Sequence, residues 1–137
     1  MTRPQGSFLP RLLAWLALLG LCSAYLVGGL TKLFDFNSAI GEMQHFGLAP
    51  AMPLAVAVIA LELVGPALIL LGNKYRWLAA LALAIFTFAA SMLANRFWLL
   101  AGQERFMSKN AFFEHLGLVG AFVLVACYDL ASRQGDT

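Results

Sequence analysis

Long apolar stretches separated by short polar segments dominate the pattern of residues along the chain. Four of them run over about residues 12–33, 54–71, 77–100 and 112–130. Each is long enough to cross the roughly 30 Å hydrocarbon core of a bilayer as a helix. A helix satisfies its backbone hydrogen bonds within itself, as lipid requires. The pattern therefore predicts an all-α, integral membrane four-helix bundle, formed by a single domain over residues 1–137.

The amino-acid composition supports a membrane protein. Hydrophobic residues make up 61% of the chain and charged residues 12%, and the mean hydropathy is +0.81. A soluble domain has about 25% charged residues, so this chain carries too little charge to cover a surface facing water. The net charge of +2 and the lack of a basic run argue against a nucleic-acid partner. The lipid bilayer is the partner that the composition predicts.

Positive charges at the ends of the stretches predict the orientation of the chain. Four spans place both termini on one side of the membrane, together with the loop at residues 72–76. The cations on that side are Arg3, Arg11, Lys74, Arg76 and Arg133. Loops rich in Lys and Arg stay in the cytoplasm, so we expect both termini of this multi-pass protein to be cytoplasmic.

Charged residues cluster at the other ends of the stretches, where a polar rim is expected. Lys32 and Asp35 are three residues apart, so they share one face of a helix. The third and fourth stretches bring Arg96, Glu114 and His115 to the same depth. Lipid penalises every unpaired charge, so we expect these five side chains to face inward as one polar rim cluster. The alternative is that Lys32 snorkels towards the headgroups.

Glu62 lies deeper, roughly 12 Å from the start of the second stretch at 1.5 Å per residue. An intramembrane carboxylate is a candidate functional residue, although it can also serve only to hold helices together. Pro66 follows four residues later and cannot donate to the carbonyl of Glu62. We therefore expect a kinked helix whose acid turns into the bundle, protonated or hydrogen-bonded to a neighbour.

Small residues repeat every four positions on two of the stretches. Gly20, Ala24 and Gly28 do so on the first, and Gly117 and Ala121 on the last. Such spacing lets helices approach closely. We expect these faces to be helix contacts.

The chain was also compared with the common metal-binding and catalytic motifs. The two histidines, His45 and His115, lack the HxxxH or ExxH spacing of helical metal sites, so no metal site is predicted. No Ser-His-Asp ordering or phosphate-binding Gly loop is present. The sequence therefore assigns no catalytic residue and leaves open whether the protein is an enzyme.

A ligand pocket is one interpretation of the third stretch. Phe86, Phe88 and Met92 lie where a pocket beside Glu62 and Lys32 would suit a quinone ring. Packing within the bundle is the alternative explanation for the same side chains.

Five segments of the chain together form a pattern of residues that can be compared with known families. They are GGLTKLFDF (28–36), EMQHFGL (42–48, followed by prolines), ALELVGPALILLG (60–72), AIFTFAASML (84–93) and FFEHLGLVGAFVLVA (112–126). In this order and spacing, together with Arg76, they resemble the DoxX family of small four-helix bacterial membrane proteins. The family's Lys and Glu positions match Lys32 and Glu62.

The sequence departs from the family pattern at two places on the rim. The third helix of the family often ends in Phe-His, where this chain has Ala94-Asn95. The fourth helix often opens with Lys-Asn, where this chain has Glu114-His115. The charge arrangement of the rim therefore differs from that of relatives.

The resemblance implies a place in the bacterial cytoplasmic (inner) membrane. Some members of the family are subunits of membrane oxidoreductases, including a thiosulfate:quinone oxidoreductase, and others accompany redox-stress or metal-handling systems. By analogy, this chain is expected to be a membrane subunit or accessory of a redox assembly, with protein partner subunits and a quinone as candidate cofactor. The alternatives are a noncatalytic structural or anchoring module for partner proteins, and a carrier of small molecules or protons.

The orientation can be tested by cysteine labelling. A Glu104→Cys variant should react with a membrane-impermeant thiol reagent added from the non-cytoplasmic side, because position 104 lies opposite the cation-rich loop. Labelling of that position from the cytoplasm would reverse the orientation and leave the four-helix fold intact.

Overall fold

The computed structural model describes residues 8–135, which fold into α-helices joined by short connections. The helices are α1 (Phe8–Phe34), α2 (Phe36–His45), α3 (Ala51–Leu70), α4 (Arg76–Ala94) and α5 (Gly102–Gln134), with a single 3-10 turn (Phe97–Leu99) between α4 and α5. Arg3, which contributed to the predicted orientation, lies outside the described residues.

The expected all-α membrane bundle is confirmed. Helices α1, α3, α4 (with the 3-10 turn that follows it) and α5 are each long and apolar enough to cross a membrane. Within residues 8–135, α1 packs against α3, α3 against α4, and α4 against α5. The short helix α2 lies at the end of the bundle where α1 ends, and we call this the α2 end.

Two parts of the fold differ from the predicted stretches. Helix α5 begins at Gly102 rather than near residue 112, and its 33 residues make it about 50 Å long at 1.5 Å per residue. It therefore exceeds the roughly 30 Å of a hydrocarbon core. Residues 103–111 contain no Pro or Gly, so nothing interrupts the helix although their polar side chains end the hydropathy signal.

Helix α2 is the second difference, and it is held by a cap and by packing. The carboxylate of Asp35 accepts a hydrogen bond from the backbone N–H of Ser38 at 3.1 Å, as expected of an N-cap residue. Ala39 and Met43 pack on Ala55 and Ile59 of α3. Helix α2 thus covers one end of the spanning helices.

The main core joins the spanning helices around Tyr25. Its hydroxyl forms a hydrogen bond with the hydroxyl of Thr87 on α4, and its ring packs edge-on against Phe122 of α5, with centroids 5.3 Å apart. Cys22 and Leu83 are fully buried in the same cluster. Helices α1 and α5, the first and last of the packed row, therefore meet at this level.

Helix α3 continues through Pro66 to Leu70. Gly65 and Pro66 are both buried, and a Cβ on Gly65 would lie 3.1 Å from Cδ1 of Leu83 on α4. At the end of α3, the indole of Trp15 donates to the carbonyl of Leu70 at 3.2 Å. These contacts keep α3 between α1 and α4, and the kink expected at Pro66 stays a prediction.

At Gly29, α1 lies close against α3. A Cβ at this position would lie 2.8 Å from Cδ2 of Leu63 and 3.1 Å from Cβ of Glu62, distances that real Cβ atoms rarely show. The small-residue faces expected from their spacing are only partly used, because a Cβ on Gly20 or Gly117 would have nothing within 4 Å. Gly28 does face another helix, at Glu62.

Replacing Gly29 with Val should destabilise the bundle by about 1–3 kcal/mol, the usual range for overpacking a tight contact. The added side chain would displace the side chain of Leu63 and press on Cβ of Glu62, both on α3. The thermal unfolding midpoint of the purified protein in detergent would measure the loss.

The matched control is Gly20→Val on the same helix, where a Cβ meets open space. That variant should stay within about 0.5 kcal/mol of wild type. Equal destabilisation by the two variants would refute a specific contact at Gly29.

Candidate functional site

An ion pair between α1 and α3 forms the centre of the candidate site. The ammonium Nζ of Lys32 donates to both carboxylate oxygens of Glu62, each at 3.0 Å. The Lys32 side chain is 17% exposed and that of Glu62 8% exposed. Helices α1 and α3 run antiparallel, which brings the end of α1 beside Glu62. Gly28 lies at the same level, where a Cβ would be in ordinary van der Waals contact, 3.6 Å from each Glu62 oxygen.

Glu42 on α2 brings a second carboxylate to the same cation. Its Oε2 lies 3.7 Å from Nζ of Lys32, and its side chain is 44% exposed. That distance is too long for a hydrogen bond. An ammonium has three N–H donors and two of them bind Glu62, so the third has no hydrogen bond to a residue of the described chain.

Next to this trio, a cavity of about 460 Å³ lies between the spanning helices at the α2 end. Pockets for small ligands usually measure about 300–1,000 Å³. Most of its wall is apolar, formed by Ala24, Met43, Phe46, Leu48, Leu54, Val58, Phe86, Ala89, Ala90, Leu93, Ala94 and Leu118. Its polar groups come from Tyr25, Lys32, Glu42, Glu62, Thr87 and His115.

His115 enters the cavity wall from α5. Its Nδ1 lies 2.9 Å from the amide nitrogen of Asn95, and the same nitrogen lies 3.3 Å from the hydroxyl of Ser91. The two departures from the family pattern, at positions 95 and 115, are therefore in direct contact. They connect the end of α4 to α5.

The predicted polar rim cluster divides into two groups. Lys32 and His115 line the cavity, so Lys32 faces the bundle rather than snorkelling. Asp35 instead caps α2, and Nε of Arg96 donates to the carbonyl of Leu93 at 3.2 Å. Glu114 is exposed, because successive helical residues point about 100° apart and His115 takes the inward direction. Asp35, Arg96 and Glu114 form no ion pair with Lys32 among residues 8–135.

The predicted pocket residues also separate. Phe86 lines the cavity, whereas Phe88 and Met92 are exposed at 46% and 40%. The lining face of α4 follows the 3.6-residue period through residues 86, 90, 93 and 94. Positions 88 and 92 therefore lie on a different face.

Glu42 is a site residue that the sequence analysis did not select. It belongs to α2, a helix too short and too polar for a hydropathy pattern to show. The sequence feature that could have predicted α2 is Asp35, a residue type common at helix N-caps, followed by apolar residues with helical spacing at positions 36, 39, 40 and 43. No group of three His, Cys, Asp or Glu residues that could hold a metal ion occurs between residues 8 and 135.

Comparison with known proteins gives two matches. The sequence profile of the DoxX family matches residues 13–96. The chain is also 30% identical, over 104 residues, to the inner membrane protein YphA of Escherichia coli strain K12, an alignment that covers 74% of this chain and 72% of that protein. No solved structure matches the chain. The profile match contains Lys32, Glu62 and Asn95, whereas His115 lies beyond it.

Removing one partner of the buried pair should be more harmful than removing both. Glu62→Leu leaves the Lys32 ammonium with only the longer, 3.7 Å contact to the half-exposed Glu42 and should lower stability by about 2–3 kcal/mol, less than the loss of a wholly uncompensated buried charge. Glu62→Gln keeps the shape and one acceptor oxygen, so its effect should be smaller. Thermal unfolding midpoints in detergent would rank the variants.

The double variant Lys32→Met/Glu62→Leu replaces both charges by apolar side chains. It should recover to within about 1 kcal/mol of wild type, because apolar replacement of a whole buried pair is often neutral. A double variant as unstable as the sum of its single changes would show that the two side chains do not act as a pair.

Proposed function

The chain belongs to the DoxX family of membrane proteins, and on this premise we propose that its cavity binds a small, neutral and mainly apolar ligand. The observation that carries the proposal is the position of the Lys32–Glu62 pair in the wall of an apolar cavity of about 460 Å³. Apolar walls with a few placed polar groups are typical of small-molecule sites.

The charges around Lys32 favour a neutral ligand with an acceptor oxygen. Glu62 already compensates the ammonium, and Glu42 adds a second negative charge nearby, so the trio disfavours a free anion. The remaining N–H of Lys32 is suited to a carbonyl oxygen. A quinone has an apolar ring with carbonyl oxygens and belongs to this class.

This ligand class supports a role as a membrane subunit or accessory of a redox assembly, linked to quinone. The family resemblance favours that role, since some DoxX proteins are subunits of membrane oxidoreductases. The name of the relative YphA supports a place in the bacterial inner membrane. The cations around the loop at residues 72–76 support cytoplasmic termini.

A second candidate is an anchoring module for partner proteins. It is favoured by the first turns of α5, which extend beyond the end of α4 and expose Phe106 (61%) and Met107 (62%). Such residues outside the packed helices could contact a partner. This function needs no ligand in the cavity.

Quinone content after purification would test the first function. We expect the protein, purified in a mild detergent from a quinone-producing bacterium, to retain quinone that organic extraction and chromatography can measure. Leu118 lines the cavity, so Leu118→Trp should fill it and reduce the quinone retained at least about fivefold. Leu124 is exposed on the same helix, and Leu124→Trp should retain quinone as wild type does.

Equal quinone content in wild type and the Leu118→Trp variant would contradict binding in this cavity. A quinone-free preparation that co-purifies in defined stoichiometry with a partner protein would favour the anchoring module instead.

A further inference from the structure

We infer that His115 is a second polar anchor of the cavity, which donates a hydrogen bond from Nε2 to an acceptor oxygen of the ligand. Asn95 is the positioning residue, because its contact with the ring determines which ring nitrogen of His115 carries the proton. The inference rests on the proposed function, because it concerns the ligand of the same cavity. The inference narrows the proposed ligands to neutral molecules that have two acceptor oxygens, one facing Lys32 and one facing α5.

The tautomer of His115 follows from its contact with Asn95. An amide nitrogen donates hydrogen bonds and does not accept them, so the 2.9 Å contact from Nδ2 of Asn95 makes Nδ1 of His115 the acceptor. In a neutral imidazole, one ring nitrogen accepts and the other carries the proton. The proton of His115 is therefore on Nε2.

Ser91 is the second hydrogen-bond partner of the Asn95 side chain. The amide nitrogen of Asn95 also donates to the hydroxyl of Ser91 at 3.3 Å, and Ser91 is 3% exposed. Both amide hydrogens are thus used, one within α4 and one towards α5.

The Nε2–H group of His115 is free to donate a hydrogen bond to a ligand. Nε2 of His115 forms no hydrogen bond with a residue in the range 8–135, and the side chain lines the cavity. The third N–H of Lys32 is the other unused donor in the same wall. The two donors come from different helices, α5 and α1.

Nitrogen NMR would test the tautomer without any ligand. The chain contains two histidines, and His45→Gln leaves His115 as the one observed. With ¹⁵N-labelled histidine at pH 8, Nδ1 should resonate as an unprotonated ring nitrogen and Nε2 as a protonated one. Asn95→Leu should shift both resonances towards the mixture seen for free histidine. A proton on Nδ1 in the His45→Gln protein would overturn the inference.

Two probes of the same shape would test the donor. Duroquinone and durene share a tetramethylated six-membered ring, but only duroquinone carries two carbonyl oxygens. Met43 lines the cavity, so its ¹³C-methyl resonance reports occupancy by either probe, after correction for partition into detergent. Two added hydrogen bonds should make duroquinone bind about tenfold tighter than durene.

His115→Phe should reduce the preference for duroquinone over durene about threefold, because it removes one donor and keeps an aromatic ring. Asn95→Leu should reduce the same preference while leaving the imidazole in place. Thermal unfolding midpoints would show that both variants are folded.

The outcomes separate this inference from the proposed function. Equal affinity of wild type for duroquinone and durene, or an unchanged preference in a folded His115→Phe variant, would overturn the role of His115 and leave the apolar cavity as a binding site. Binding of neither probe would overturn the proposed function and this inference with it.

Discussion

The ion pair between Lys32 and Glu62 is the contact on which the rest of the site depends. Each charge alone would be strongly unfavourable at a buried position in a membrane helix. Together they form two hydrogen bonds of 3.0 Å and hold α1 against α3. The two helices approach closely there, which Gly29 permits, since a Cβ would lie 2.8 Å from Cδ2 of Leu63 and 3.1 Å from Cβ of Glu62. Glycine at position 29 and the charged pair are therefore parts of one arrangement.

The same pair explains how charged side chains can line a cavity whose wall is mainly apolar. Its charges are already compensated, so the neighbouring space needs no counter-ion and can remain mainly apolar. Helix α2 adds Glu42 at 3.7 Å from the ammonium and packs on α3 through Met43. On the α5 side, Asn95 and Ser91 hold His115 in the cavity wall. The site thus combines groups from all five helices.

Hydropathy predicted the four spanning helices, because a helix that crosses a membrane needs about 20 consecutive apolar residues. Few other structures need an apolar run of that length. It missed α2 and the first turns of α5, whose polar residues interrupt an apolar pattern without interrupting a helix. Glu62 and Lys32 were recognised individually, since a charge inside an apolar stretch is conspicuous. Their pairing was not recognised, because nothing in the sequence states which faces of two helices meet.

The sequence by itself determined the class of protein, the number of spans, the presence of an acid within an apolar stretch and the family. Only the tertiary structure decided the partner of each polar side chain. Asp35 and Arg96 bond to backbone groups at helix ends, where N–H and C=O groups lack partners within the helix, whereas Lys32 and His115 face the cavity. Residues at similar depth were thus separated by the rotation of each helix, and packing of the helices against one another sets that rotation.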